Sequence, residues 1–217
     1  MNASLPQLPI RSPRPGFFIS FEGGEGVGKS TQIELLKQQL IASGKSVVTT
    51  REPGGTDAAE AIRKVLLGNE YADLSDRSEA LLFAAARADV VANVVDPALA
   101  AGQVVLADRY LDSSAAYQGY ARKLGVAEVK SLSLWATRGL LPDLTVVLDL
   151  DPTIGISRVA KPDRLESLAL EFHKLVREAF LTMAAEEPTR FIVVDASQST
   201  DEINKIIFDQ VKTRLAI

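Results

Sequence analysis

Short runs of apolar residues alternate along the chain with longer stretches in which apolar residues recur at helical spacing. The short runs are rich in Val, Ile, Leu and Phe, which is typical of strands buried on both faces of a parallel sheet. The predicted strands are Phe17–Glu22, Ser46–Thr50, Val104–Ala107, Leu144–Leu148 and Phe191–Val194. The helical patterns cover about residues 29–43, 57–68, 76–101, 126–139, 163–186 and 200–215. This alternation predicts an α/β fold, a five-stranded parallel sheet with helices on both faces.

The start of the chain does not share this pattern. Residues 1–16 contain four prolines, two arginines and no acidic residue. A segment of this composition predicts a flexible arm. The alternative is a targeting segment, which no amphipathic period supports. We therefore expect one domain over residues 17–217, in which ligands bind beyond the carboxyl ends of the strands.

Composition excludes several classes of chemistry. The chain has no cysteine and one histidine, His173, which excludes disulfides, thiolate metal sites and a Cys nucleophile. A net charge of −4 with 6% aromatic residues argues against non-specific binding of nucleic acid. The apolar runs are far shorter than the roughly 20 residues that span a bilayer. We expect a cytoplasmic protein that binds neither nucleic acid nor membrane.

A phosphate-binding loop directly follows the first predicted strand and precedes a predicted helix. The sequence GGEGVGKS fits the pattern G-x-x-x-x-G-K-[ST] in the structural context that this pattern requires. Glycines let backbone N–H groups point at phosphate oxygens, Lys29 can reach the β- and γ-phosphates, and the Ser30 hydroxyl can ligate Mg²⁺. We predict nucleoside triphosphate binding by Gly23, Gly24, Glu25, Gly26, Val27, Gly28, Lys29, Ser30 and Thr31.

Charged residues also follow the second and third predicted strands. Asp108 ends the third, where a carboxylate can reach Mg²⁺; the alternative is a carboxylate paired only with Arg109. Arg51 and Arg109 carry planar guanidinium groups that suit a phosphate. For Arg51 the alternative is a structural ion pair with Glu52. A GTPase-type switch is disfavoured because no Asp-x-x-Gly or Asn-Lys-x-Asp motif is present.

Six motifs in order, FEGGEGVGKST, TREPGGT, LFAAAR, DRYLDSSAAYQG, LDLDP and DRLE, resemble the thymidylate kinase family. The resemblance covers nearly everything after the arm, and the Glu25-Gly26 pair resembles the bacterial subtype. It implies a P-loop three-layer sandwich with a short lid at about residues 157–166. It further implies transfer of the γ-phosphate of Mg·ATP to dTMP, giving dTDP and ADP, and a homodimer, for which the helix bearing Ala80–Val95 is a plausible face.

Two other functions stay open at this point. One is another nucleoside monophosphate kinase or a deoxynucleoside kinase on the same fold. The other, from a different class, is a P-loop module that binds nucleotide without turnover.

The resemblance also implies roles for individual residues. Phe83 stacks on the thymine and Arg87 hydrogen-bonds a base carbonyl, although spacing alone favours Phe83 as a core residue. The implied dTMP-binding set is Glu25, Arg51, Phe83, Arg87, Arg109, Ser114, Tyr117 and Gln118. Tyr117 would favour deoxyribose; its alternative is a packing tyrosine with its hydroxyl at the surface.

In the lid, Arg158, Lys161 and Arg164 can close over the triphosphate; the alternative is a solvated helix start. This lid is short for the bacterial subtype, and Lys161-Pro162 interrupts its arginine run. The implied catalytic set is Lys29, Arg51, Asp108, Arg109, Arg158 and Arg164, with Ser30 and Asp108 as ligands of Mg²⁺.

Overall fold

A five-stranded parallel sheet forms the centre of the protein, which a computed structural model describes over residues 14–217. The order across the sheet is β2-β3-β1-β4-β5. Each strand lies within one residue of its predicted bounds, so the sheet is confirmed. The strands are β1 (Phe17–Gly23), β2 (Val47–Arg51), β3 (Val104–Asp108), β4 (Leu144–Asp149) and β5 (Phe191–Asp195).

Helices connect the strands. They are α1 (Lys29–Ala42), α2 (Asp57–Leu67), α3 (Asp76–Val90), α4 (Asp96–Ala100), α5 (Leu111–Ser114), α6 (Val126–Ala136), α7 (Pro152–Ser157), α8 (Leu170–Glu186) and α9 (Thr200–Leu215). Asn69–Tyr71 form a 3₁₀ turn, and Val91–Val95 and Ala115–Ala121 are π-helical.

The helix predictions need correction in three respects. The pattern over 76–101 is α3, a π-helical stretch and α4 in succession. The pattern over 163–186 begins as a helix only at Leu170, because the Asp163 carboxylate accepts bonds from the N–H groups of Leu165 and Glu166 and holds a turn there. The helical segments at 111–121 and 152–157 were not predicted at all.

The side chains of β1 alternate between two apolar layers. Ile19 and Phe21 pack with α1 and α9, whereas Phe18 packs with α3 and α4 on the other face. A further apolar cluster lies between the π-helical stretch Ala115–Ala121 and α8. The sheet is therefore the middle layer of three, as predicted, and β1 lies at its centre.

Residues 1–13 of the predicted arm lie outside the described part of the chain. Its last residues belong to the domain: Arg14 contacts Asp143 at 3.1 Å, and the Gly16 N–H donates to the Leu99 carbonyl. Over residues 14–217, no helix is long and apolar enough to cross a membrane.

Candidate functional site

A pocket of about 510 Å³ lies at the carboxyl ends of β1, β2 and β3. In a parallel sheet this edge is where connecting loops leave room for a ligand. Residues 25–31 of the phosphate-binding loop form one side of it. The other predicted site residues that line it are Arg51, Phe83, Asp108, Arg109, Ser114, Tyr117 and Gln118.

The phosphate-binding loop turns sharply because three of its glycines have positive φ. Gly23, Gly26 and Gly28 lie at φ 130°, 63° and 93°. Gly26 is also in close contact with α7: a Cβ placed on it would lie 2.1 Å from the Gly155 carbonyl oxygen. Both the backbone conformation and the space therefore require glycine at this position.

Replacing Gly26 with alanine should weaken ATP binding about 10- to 100-fold, because strain of about 1–3 kcal/mol would push the loop off α7. Isothermal titration with ATP measures the change. Gly44→Ala is the matched control, since Gly44 also has positive φ, 78°, but a Cβ on it would meet nothing within 4 Å. Equal ATP affinities for the two variants would contradict the steric argument.

Lys29 begins α1 and is almost fully buried. Its ammonium donates to the Gly24 carbonyl at 2.7 Å. Burial and, to a lesser extent, nearby Arg109 lower the pKa of Lys29 to about 8, although Glu25 and Asp108 oppose the shift. The ammonium thus lies beside the loop, and phosphate oxygens bound there could replace the Gly24 carbonyl as its hydrogen-bond acceptors.

Ser30 and Asp108 meet at the end of the loop. The Ser30 hydroxyl donates to Asp108 Oδ2 at 2.9 Å. This contact joins the first turn of α1 to the end of β3. The hydroxyl and the carboxylate are two oxygen ligands of the kind that Mg²⁺ accepts, so the donor set fits this ion.

Glu25, Arg109 and Tyr117 form a connected group between the loop and the pocket. Glu25 Oε1 accepts bonds from Arg109 at 2.8 Å and from the Tyr117 hydroxyl at 2.6 Å. Burial alone would raise the pKa of Glu25, but Arg109, Lys29 and Tyr117 together lower it to about 2. The Tyr117 ring packs on α8, and its hydroxyl is bonded rather than at the surface.

Arg51 and Phe83 lie at the rim. Arg51 pairs with both carboxylate oxygens of Glu60, at 2.9 and 3.1 Å, and not with Glu52 as the alternative reading had it. Its side chain remains 56% exposed and lines the pocket, so its charge is available to a ligand. Phe83 is half-buried and belongs to none of the described apolar clusters, which leaves its ring for a ligand.

Arg87 does not line the pocket; it lies beneath it with 1% exposure. Its guanidinium bonds Glu52 at 2.8 Å, Ser133 at 2.9 Å and Ser114 at 2.9 Å, with a longer contact to the Tyr110 carbonyl. Because Ser114 Oγ accepts from Arg87, its own hydrogen is free to point into the pocket. Arg87 thus reaches the pocket through Ser114.

The two lid arginines occupy different places. Arg158 donates to the Gly26 carbonyl at 3.1 Å, beside the phosphate-binding loop. Arg164 is 8% exposed, pairs with the buried Glu79 at 2.6 Å and donates to the Leu66 carbonyl. The prediction that Arg164 lies over the triphosphate is not matched by this placement, because Glu79 and the Leu66 carbonyl hold it against α3 and the end of α2.

Two site residues escaped sequence reasoning. Arg63 lines the pocket from α2. In the sequence, a single arginine within a helix cannot be distinguished from an arginine exposed to solvent. Glu22 is fully buried at the end of β1 and accepts a bond from the Tyr110 N–H at 2.8 Å. Burial and nearby Asp112 raise the pKa of Glu22 to about 8. It supports the turn that carries Arg109.

Comparison with known proteins gives one consistent result. The family model described as Thymidylate kinase matches residues 21–207. A thymidylate kinase of Leifsonia xyli subsp. xyli is 55% identical over 200 residues, covering 90% of this chain and 94% of that protein. One from Solidesulfovibrio magneticus is 46% identical over 204 residues, with 89% and 98% covered.

Proposed function

The chain belongs to the thymidylate kinase family, and we propose that its pocket holds dTMP against the phosphate-binding loop for transfer of the γ-phosphate of ATP. The product is dTDP, as the family's activity requires. One observation carries this assignment: a single pocket is lined by the loop lysine, by three arginines (Arg51, Arg63 and Arg109) and by the Phe83 ring, which lies outside the described apolar clusters. A donor phosphate and a nucleoside monophosphate therefore have adjacent places.

The acceptor's phosphate oxygen is already ionised at neutral pH, so transfer needs alignment and charge neutralisation rather than a general base. Lys29 neutralises the donor's β- and γ-phosphates. Arg109 and Arg51 hold the acceptor phosphate in line with them. Arg158, which already contacts the loop, is the lid cation of the proposal, and Arg164 is left out of the catalytic set because its charge is committed to Glu79.

Thymine recognition is assigned to the part of the pocket lined by Phe83, Ser114, Tyr117 and Gln118. Phe83 stacks on the base, Ser114 and Gln118 face its polar edge, and Tyr117 stands beside the sugar. Arg87 orients the Ser114 hydroxyl from below and so acts through it.

Mg²⁺ belongs to the proposal because Ser30 and Asp108 offer a hydroxyl and a carboxylate at one place, with substrate phosphates to complete the coordination. When bound, the ion neutralises charge on the phosphates. Without the ion, Asp108 holds the Ser30 hydroxyl in place through their hydrogen bond.

A homodimer and a cytoplasmic location are further parts of the proposal. Leu81 on α3 is 57% exposed and Trp135 on α6 is 69% exposed. Large exposed apolar side chains on two helices that contact each other favour an interface between copies. Light scattering at micromolar concentration measures the mass directly, and a monomer would contradict the dimer.

The test of the function is ADP formation from Mg·ATP with dTMP, dUMP, UMP, CMP, AMP or thymidine as acceptor. We expect a strong preference for dTMP. Preference for another monophosphate would keep the phosphate arginines and overturn the base site. ATP binding without turnover on any acceptor would favour a nucleotide-binding module.

A further inference from the structure

The carboxylate of Glu79, in the first turn of α3, is fully buried and surrounded by donors. Gln118 Nε2 donates to its Oε1 at 2.9 Å, and Arg122 and Arg164 donate to its Oε2 at 3.1 and 2.6 Å. A helix-start glutamate in solvent would need none of these partners. This carboxylate has lost its hydration and gained three hydrogen-bond donors from the protein, which indicates that it holds other groups in place.

The first of these groups is the Gln118 amide, which lines the pocket. A carboxylate accepts hydrogen bonds and cannot donate them, so the amide must turn its nitrogen towards Glu79. Its oxygen is thereby turned away from Glu79. We propose that Glu79 is a positioning residue that fixes the polarity of Gln118, so that the pocket presents an acceptor to the nucleotide base; this inference rests on the proposed function.

Ser114, the last residue of α5, directly precedes the π-helical stretch that carries Gln118 and completes the pattern. Its oxygen accepts from Arg87, so its hydrogen is the donor that remains for a ligand. A donor beside an acceptor matches an imide edge, in which a carbonyl lies next to an N–H. Thymine and uracil carry this edge, whereas cytosine has an unprotonated ring nitrogen in place of the N–H. The pair thus selects the substrate class.

The second group is the lid segment. Arg164 joins Glu79 to the Leu66 carbonyl at the end of α2, so one carboxylate fixes the segment after Asp163 to both α2 and α3. Leu165 and Glu166, directly after this arginine, line the pocket. Glu79 therefore sets the position of the pocket wall as well as the polarity of the base contact.

Glu79→Gln tests the polarity directly. Arg122 and Arg164 would keep the new amide oxygen where Oε2 now lies, so its nitrogen would face Gln118. Gln118 would then have to turn its oxygen towards residue 79 and its nitrogen towards the pocket. We expect the ratio of kcat/KM for dTMP to that for dCMP to fall about 10- to 100-fold, because the imide N–H loses its acceptor.

Glu79→Asp is the second variant, since it keeps the charge opposite the arginines but withdraws the acceptor from Gln118. We expect a smaller fall of the same ratio. In a Gln118→Ala background, Glu79→Gln should leave the ratio unchanged, because the substitution keeps an oxygen opposite Arg164 and alters only the contact with Gln118. Glu187→Gln is the matched control: it removes a carboxylate that pairs with Arg190 and Lys130 at the C-terminal end of α8, and the ratio should stay at the wild-type value.

Different results would overturn the role of Glu79 and the proposed function. A wild-type enzyme that phosphorylates dTMP, together with folded Glu79→Gln or Glu79→Asp proteins that keep the wild-type ratio, would overturn only the role of Glu79. A fall that persists in the Gln118→Ala background would also overturn it, since the effect would then be a general loss of packing. A wild-type enzyme that ignores dTMP would overturn the proposed function and this inference with it.

Discussion

Lys29→Met should lower kcat by about 10³-fold, the loss expected when a preorganised charge is removed from transferring phosphoryl groups. The ammonium is bonded to the Gly24 carbonyl and buried beneath the loop, so it is positioned before ATP arrives. Methionine has a similar length and fills the same space without charge. The chain should therefore fold, bind ATP more weakly and turn over very slowly.

Steady-state ADP formation at saturating dTMP measures the effect. Lys37→Met is the control, since Lys37 lies on the same helix and forms an exposed pair with Glu34. Loss of less than tenfold in kcat for Lys29→Met would assign the transition-state charge to another cation.

The same lysine gives a pH dependence with a definite sign. Burial and Arg109 lower the pKa of Lys29 to about 8, so the free enzyme loses this proton, and with it the attraction for phosphate, as pH rises through that value. We expect kcat/KM for ATP to fall above pH 8, and Lys29→Met to lose this part of the profile, because kcat/KM reports the free enzyme. In the enzyme with ATP bound, the negative phosphates raise the pKa of Lys29 again. We therefore expect kcat to begin to fall at a higher pH than kcat/KM does.

The sheet and the phosphate-binding loop were predictable because local pattern determines both. Runs such as Val104–Ala107 are apolar at every position, as strands buried on both faces are, and the positive φ angles of the loop already require glycine. The same reasoning placed Asp108 and Arg109 beside the loop, since parallel strands end at one edge of the sheet.

The lid was less predictable because long-range contacts determine it. Arg158 and Arg164 are both cations in one short segment, and no local pattern distinguishes them. Glu79 does so, from 85 residues earlier in the chain, by taking Arg164 into a buried pair. In sequence, Glu79 resembles an ordinary acid in the first turn of a helix, which stabilises the helix dipole from solvent. Its burial depends on Arg122 and Gln118, which tertiary packing brings to it.

Arg109 combines a predictable position with an unpredictable conformation. It follows β3 directly, yet its backbone lies at φ 69°, in the left-handed region that non-glycine residues seldom adopt. The turn is held by Glu22, which accepts from the Tyr110 N–H, and by bonds from the Arg109 guanidinium to the Gly23 carbonyl and Glu25. Strain kept in place by several contacts indicates that the direction of this side chain matters.

Arg109→Lys should therefore lower kcat/KM for dTMP by about 10²- to 10³-fold although the charge is kept. Lysine retains one point charge but loses the planar fork that bonds Glu25 and the loop at 2.8 Å each and would grip an acceptor phosphate. Backbone strain is the same for both residues and Glu22 still holds the Tyr110 N–H, so we expect the variant to fold. ATP affinity, measured by titration without dTMP, should change less than fivefold, an expectation based on the roughly 1 kcal/mol of a single lost hydrogen bond.

Arg138→Lys separates the effect of the fork from that of the backbone. Arg138 also has positive φ, 52°, but it does not line the pocket, and its guanidinium pairs with Asp96. This variant should keep wild-type kinetics. If Arg109→Lys instead weakens ATP binding as much as it lowers kcat/KM for dTMP, Arg109 binds the phosphates of ATP. A residue that binds only the acceptor would change kcat/KM for dTMP and leave ATP affinity nearly unchanged. Alignment of the acceptor phosphate would then fall to Arg51 and Arg63, the other two arginines that line the pocket.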